Sequence, residues 1–179
     1  MKYLGRIPLL AVIIGTLVVP VRADIVPPPP DVVLVAADFL GTGTAQAAMF
    51  NRSERSWYIQ RPCPKAPCEP FEIEWGGKGD IPFAADVDGD RRAELILYRP
   101  SEGHWYILNL NCVALTCNVE QSFTWGGMKG DLPYVADFDG DGRADLVICR
   151  TLGDFTWWVL RSNCKGGAYT CYATITGVE

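Results

Sequence analysis

The chain of 179 residues carries 21 acidic against 16 basic side chains, a net charge of −5, with one histidine and seven cysteines. That balance argues against a nucleic-acid partner, which calls for a basic footprint, and a lone histidine leaves little material for a histidine-based catalytic centre. The length suits one domain with a substantial core.

Residues 1–23 have the three parts of a secretory signal peptide: Lys2 and Arg6, an apolar run over residues 7–21, and the small-residue end Val21-Arg22-Ala23. The run is interrupted by Pro8 and Pro20 and falls short of the roughly 20 residues needed to cross a bilayer. The expectation is cleavage after Ala23, export to an extracellular or periplasmic compartment, and no membrane span in the mature chain. Removing 1–23 takes away only basic residues and leaves a net charge of −8. Residues 24–30, with prolines at 27–30, read as a stiff lead-in.

From residue 31 the chain repeats. Ala37-Asp38-Phe39, Ala85-Asp86-Val87 and Ala136-Asp137-Phe138 are spaced by 48 and 51 residues. The same register aligns Trp57-Tyr58-Ile59 with Trp105-Tyr106-Ile107 and Trp157-Trp158-Val159, and Trp75-Gly76-Gly77 with Trp125-Gly126-Gly127. The repeats span about 31–78, 79–129 and 130–179. Within the middle one, strands are expected over 82–86, 93–99, 105–110 and 121–125. The run Leu95-Ile96-Leu97-Tyr98 is continuously apolar, as in a strand covered on both faces. Four-stranded units of this period predict an all-β, β-propeller-like fold of three blades.

Each repeat carries a nine-residue loop after its first strand. In the third, Asp137, Asp139, Asp141 and Asp145, with the carbonyl of Arg143, offer oxygens around one centre. Ca²⁺ takes roughly 6 to 8 such ligands at about 2.3 to 2.6 Å. Gly140 and Gly142 give the curl its backbone freedom. An EF-hand is excluded, because its twelfth position calls for Glu and here holds Ile148. The competing reading is an Asp/Gly turn whose acids face water. The middle loop keeps Asp86, Asp88, Asp90 and the Arg92 carbonyl, with Glu94 at the last position and Arg91 where the third loop has Gly142. A non-glycine residue held left-handed there costs roughly 1 to 2 kcal/mol. The first loop retains only Asp38; Leu40, Thr42 and Gln46 replace the other acids, so the turn is expected without the ion.

Cysteines fall at one place in each repeat, between third and fourth strands: Cys63 and Cys68, Cys112 and Cys117, Cys164 and Cys171. Three local disulfides keep every bridge within its own repeat and agree with export; zinc and free thiols are the alternatives. Cys149 stands where the other repeats have Phe50 and Tyr98, which reads as a buried apolar position. His104 comes with no triad or catalytic metal spacing. Trp75 and Trp125 offer faces to a sugar, against the commoner role of packing between units.

The series Trp-Gly-Gly-x-(x)-Gly-Asp-x-Pro, Ala-Asp-x-Asp-Gly-Asp-x-Arg-Ala-(Asp/Glu)-Leu and Arg-Pro-Ser-x-Gly-x-Trp-Tyr-Ile resembles the FG-GAP/VCBS repeat, found in integrin α-subunits and many secreted bacterial proteins. The resemblance covers nearly all of residues 31–179 and implies a propeller blade with a Ca²⁺ loop between its first and second strands. Three blades fall short of the roughly 4 to 8 of closed propellers, which implies a homo-oligomer or docking on another propeller protein; the alternative is a compact three-blade arc that tolerates its edges, or a truncated relative of a longer protein. The function expected is that of a secreted, non-catalytic, calcium-binding repeat protein acting as a binding, adhesion or scaffold module for a glycan or surface protein. The alternative is an enzyme or accessory subunit of a polysaccharide-degrading system.

Overall fold

The computed structural model describes residues 30–63, 68–110, 119–153, 156–162 and 171–175. The expected signal peptide and nearly all of the proline-rich lead-in lie outside them. Among the described residues the chain is all-β. The strands are β1 Val32–Ala37, β2 Gln46–Asn51, β3 Ser56–Ile59, β4 Phe71–Glu74, β5 Ile81–Ala85, β6 Glu94–Arg99, β7 His104–Asn109, β8 Val119–Thr124, β9 Asp131–Ala136, β10 Asp145–Arg150, β11 Thr156–Arg161 and β12 Cys171–Ile175. They form three antiparallel four-stranded meanders: sheet I (β1 to β4), sheet II (β5 to β8) and sheet III (β9 to β12). In the middle sheet the expected strands are found with ends shifted by one or two residues. Pro82 lies inside β5, opposite Leu97. It is tolerated because β5 is an edge strand, where a missing N–H breaks no ladder.

Strand periodicity decides how the sheets stack. Alternate side chains of β6 point to opposite faces, and both faces are covered. Leu95 and Leu97 enter a cluster with Phe50, Trp57 and Ile59 of sheet I. Ile96 and Tyr98 enter a second with Trp105, Leu146 and Ile148, so sheet II is packed between its neighbours. Trp57 and Trp105 are fully buried, against Phe50 and Tyr98 at ring distances of 4.9 and 4.8 Å. Trp75 and Trp125 are partly buried against the same two clusters. Cys149 is a buried free thiol among the described residues. The first strands are neighbours, β1 against β5 and β5 against β9.

The connections between sheets are pinned by buried ion pairs. Asp80, wholly buried, accepts from Arg99 Nε at 2.8 Å and Nη2 at 3.0 Å. Asp131 accepts from Arg150 at 2.7 and 3.2 Å. Each bidentate pair fixes the segment entering a sheet to the end of that sheet's second strand. In sheet I the matching positions are Val32 and Asn51, which pair in the ladder without a charge. These contacts lie at one end of the stack, and the three nine-residue loops lie at the other.

Candidate metal centre

The loops 38–46, 86–94 and 137–145 each join the first strand of a sheet to the second. In all three the first aspartate caps the curl by accepting backbone amides. Asp137 accepts from Gly140 at 2.7 Å and Gly142 at 2.9 Å, Asp86 from Gly89 at 2.6 Å and Arg91 at 2.8 Å, and Asp38 from Thr42 at 2.9 Å and Gly43 at 2.6 Å. The Gly142 amide foremost holds the Asp137 carboxyl below its ordinary range. At Asp38 burial pulls upward, but the amides of Thr42 and Gly43 prevail and the pKa is lowered. The sixth residue sits at positive φ in each loop: Gly43 at 78°, Arg91 at 71° and Gly142 at 90°. Arg91 therefore does occupy the left-handed conformation that its place in the sequence demands.

Two groups of three carboxylates result, with one oxygen from each residue lying within 4.8 Å of the others: Asp137, Asp139 and Asp145, and Asp86, Asp88 and Asp90. Asp141 stands outside the first group and accepts from the Arg143 amide at 2.8 Å. Glu94 stands outside the second. The donors are all oxygen, the set a hard cation prefers.

The ninth position separates the three loops. Asp145, wholly buried, accepts from Phe138 N–H and Ser162 N–H, both at 3.0 Å; burial raises its pKa. Glu94 Oε2 accepts from Val87 N–H at 2.8 Å, while its Oε1 is buried with no partner. Burial, then the negative charges of Asp88, Asp86 and Asp90, push the Glu94 carboxyl up to about 8. Gln46 Oε1 makes the corresponding bond to Phe39 N–H at 2.9 Å. Its Nε2 donates to the Thr44 carbonyl and to Thr42 Oγ1, which stand where loop 86–94 has Arg92 and Asp90. The amide group of Gln46 thus delivers positive hydrogens to the oxygens at these two loop positions. An orphaned buried Oε1 beside three carboxylates fits Ca²⁺.

Successive loops are stitched together. Ala93 N–H donates to the Asp38 carbonyl at 2.9 Å, and Ala144 N–H to the Asp86 carbonyl at 2.7 Å. Arg92 and Arg143, singled out for their carbonyls, also lay their side chains over the preceding loop. A Cβ added to Gly41 would meet Arg92 Cγ at 3.1 Å, and one added to Gly89 would meet Arg143 Nε at 2.7 Å. Sequence reasoning missed Asn109, whose Nδ2 donates to Asp88 Oδ2 at 2.6 Å, and Arg161, 3.6 Å from Asp139 Oδ2. Both stand two residues past an aligned apolar position, Ile107 and Val159, which is the signal that would have found them.

Cys63 and Cys68 form a disulfide, with Cα atoms 6.3 Å apart, between β3 and β4. Cys112, Cys117 and Cys164, and the side chain of Cys171, lie outside the described residues. No protein-family model matches the chain, and no curated protein sequence matches it.

Proposed function

We propose that the protein is a secreted, non-catalytic, calcium-stabilised binding module whose three sheets act as blades of a β-propeller-like platform, as the FG-GAP/VCBS resemblance implies. The calcium part rests on the contrast at the ninth loop position, where Gln46 Nε2 satisfies its neighbours and Glu94 Oε1 has none. One ion would be held by Asp86, Asp88, Asp90, Glu94 and the Arg92 carbonyl, and a second by Asp137, Asp139, Asp141, Asp145 and the Arg143 carbonyl. Bound there, Ca²⁺ supplies charge neutralisation and no substrate chemistry. The chain's own amides and the bonds from Ala93 and Ala144 transmit that rigidity from loop to loop.

The propeller reading is supported by three like meanders stacked face to face with their first strands adjacent. The face of sheet II bearing Phe83 and Trp105 is covered by sheet III. The register-equivalent face of sheet III carries Leu132 and Tyr134 at 56% and 52% exposure. Exposed apolar surface of this kind marks an interaction site, and a second copy of the chain, or another propeller protein, is the partner proposed for it. Light scattering that gives a strictly monomeric mass in calcium would count against the second copy.

The decisive experiment is thermal unfolding of the protein in excess Ca²⁺ and in excess chelator. Ligand at about 100 times its Kd stabilises a site by about 2.7 kcal/mol, so a rise of several degrees is expected. An unchanged melting temperature overturns the calcium assignment.

A further inference from the structure

At the end of the stack opposite the acidic loops, a cleft of about 690 Å³ is lined by Asp31, Arg52, Ser53, Arg55, Lys78 and Gly79. Three of these six are cations, in a chain whose net charge is −5. The cleft is built from the start of β1, the turn between β2 and β3, and the connection into sheet II, and hydrogen bonds join these walls. Arg52 N–H donates to the Asp31 carbonyl at 2.8 Å, Arg52 Nε to the Asp80 carbonyl at 3.2 Å, and Ser53 Oγ to Asp31 Oδ2 at 2.8 Å.

Arg55 is the informative residue. Its φ is 58°, in the left-handed region that side chains avoid, and the matching turn of sheet II has Gly103 at 61°. The turns are otherwise alike: Trp75 N–H donates to the Arg55 carbonyl at 2.9 Å as Trp125 N–H does to Gly103 at 2.7 Å. Glycine therefore satisfies the backbone, and what arginine adds at this position is its guanidinium. That group approaches Glu74 only at 4.0 Å, with both side chains more than half exposed, a weak pair that leaves it able to take another partner.

We propose that this cleft binds an acidic saccharide, with a carboxylate or sulfate group on Arg55 and Lys78 and ring hydroxyls on Asp31 and Ser53. A bare oxyanion would meet repulsion from Asp31, whereas a sugar brings hydroxyl donors for that carboxylate along with its own negative charge. The volume lies in the range of small-molecule sites, about 300 to 1,000 Å³. The inference rests on the binding-module reading and gives it a ligand class, but it is independent of the calcium loops.

The test is calorimetric titration of the full chain with three probes: a heparin oligosaccharide, an oligogalacturonate and a neutral dextran oligomer. Binding of a charged probe and not the neutral one is expected, weakening several-fold between about 50 and about 200 mM salt; the two charged arms separate sulfate from carboxylate. Arg55→Gly, which suits the backbone, should weaken binding by about tenfold or more while leaving the melting temperature and its calcium dependence unchanged. Lys78→Gln should weaken it several-fold, and Lys129→Gln, in the equivalent connection of the next sheet, should not. Absence of binding by the parent chain, full binding by Arg55→Gly, or equal binding of single-stranded DNA would each overturn the proposal. The calcium shift, read on the same samples, reports separately on the platform.

Discussion

The loop 38–46 of sheet I closes on itself with hydrogen bonds alone, whereas loops 86–94 and 137–145 gather three carboxylates each at the same end of the stack. All share a capping aspartate and a left-handed sixth residue, so the backbone curl does not depend on the acids after the first. What differs is the source of positive charge. In sheet I it is the side-chain amide of Gln46; in sheets II and III donors come from outside the loop, Asn109 Nδ2 at Asp88 and Arg161 beside Asp139, while Glu94 Oε1 keeps no partner. The comparison teaches that the loop closes without the later acids, since a single glutamine at the ninth position engages one amide and two acceptors of its own loop.

The largest expected effect comes from Asp145→Ala set against Gln46→Ala. The first leaves two amides without their acceptor, Phe138 N–H and Ser162 N–H. The second strands one amide, Phe39 N–H, along with the acceptors on Thr42 and Thr44. At about 1 to 3 kcal/mol for each buried group left unsatisfied, the Asp145 variant should lose about 3 kcal/mol or more in chelator, and the Gln46 variant about 1 to 2 kcal/mol. Urea unfolding measures both. An Asp145 variant less destabilised than the Gln46 variant would show that the Phe138 and Ser162 amides tolerate the loss of their acceptor.

Next comes pH. The Glu94 carboxyl is raised in the folded state from 4.5 to about 8, so the folded chain holds a proton that the unfolded chain has released. The stability this proton brings is complete below about 4.5 and is lost as pH rises through about 8. Asp145, also raised, acts in the same direction. Asp38 and Asp137, both lowered, act oppositely, and only near and below their ordinary value of 3.8. In chelator, stability should therefore fall by on the order of 3 kcal/mol between pH 5 and 8. Calcium should flatten that slope or reverse it, because the ion replaces the proton. A slope in chelator that rises with pH over this window would refute the assignment of Glu94.

Converting one loop into the other is a finer probe. Glu94→Gln places an amide where sheet I has one, within reach of the positions corresponding to Thr42 and Thr44. In chelator at pH 8.5 the variant should gain about 1 to 2 kcal/mol, since an unpartnered buried oxygen is replaced by a donor. Its calcium titration should show one ion fewer. Stability unchanged in chelator would mean that Oε1 of Glu94 carries no penalty in the parent chain.

Much of this arrangement was legible in the sequence because it follows from spacing. The nine-residue loops, the doubly covered Leu95-Ile96-Leu97-Tyr98 strand and the buried setting of Cys149 all depend on positions close together or on a fixed period. By sequence alone Gln46 is only a missing charge. Its role depends on where Nε2 lands, and no count of carboxylates contains that. The Asp80–Arg99 and Asp131–Arg150 pairs were missed although each residue belongs to a repeated motif, because 19 positions separate the partners and only the folded register joins them. The bonds from Ala93 and Ala144 to the preceding loops were invisible for a related reason: they join backbone atoms of adjacent sheets, and side-chain identity does not announce them.

The smallest expected effect isolates what distinguishes loop 86–94 from loop 137–145. Arg91 and Gly142 occupy one position at φ of 71° and 90°, and Arg91 N–H donates to Asp86 Oδ2 at 2.8 Å as Gly142 N–H does to Asp137 Oδ2 at 2.9 Å. Arg91→Gly keeps that bond and removes a left-handed penalty of about 1 kcal/mol. The added freedom of glycine in the unfolded chain takes back about 0.4 to 1 kcal/mol. The net gain in chelator should lie between about 0 and 0.5 kcal/mol. The substitution also deletes a positive charge from the loop that holds Asp86, Asp88 and Asp90, so if this loop takes Ca²⁺ as proposed its affinity should rise about two- to fivefold, more at low salt. If the affinity falls instead, the guanidinium of Arg91 is helping to hold the acids together, and the two loops differ in design rather than in strength.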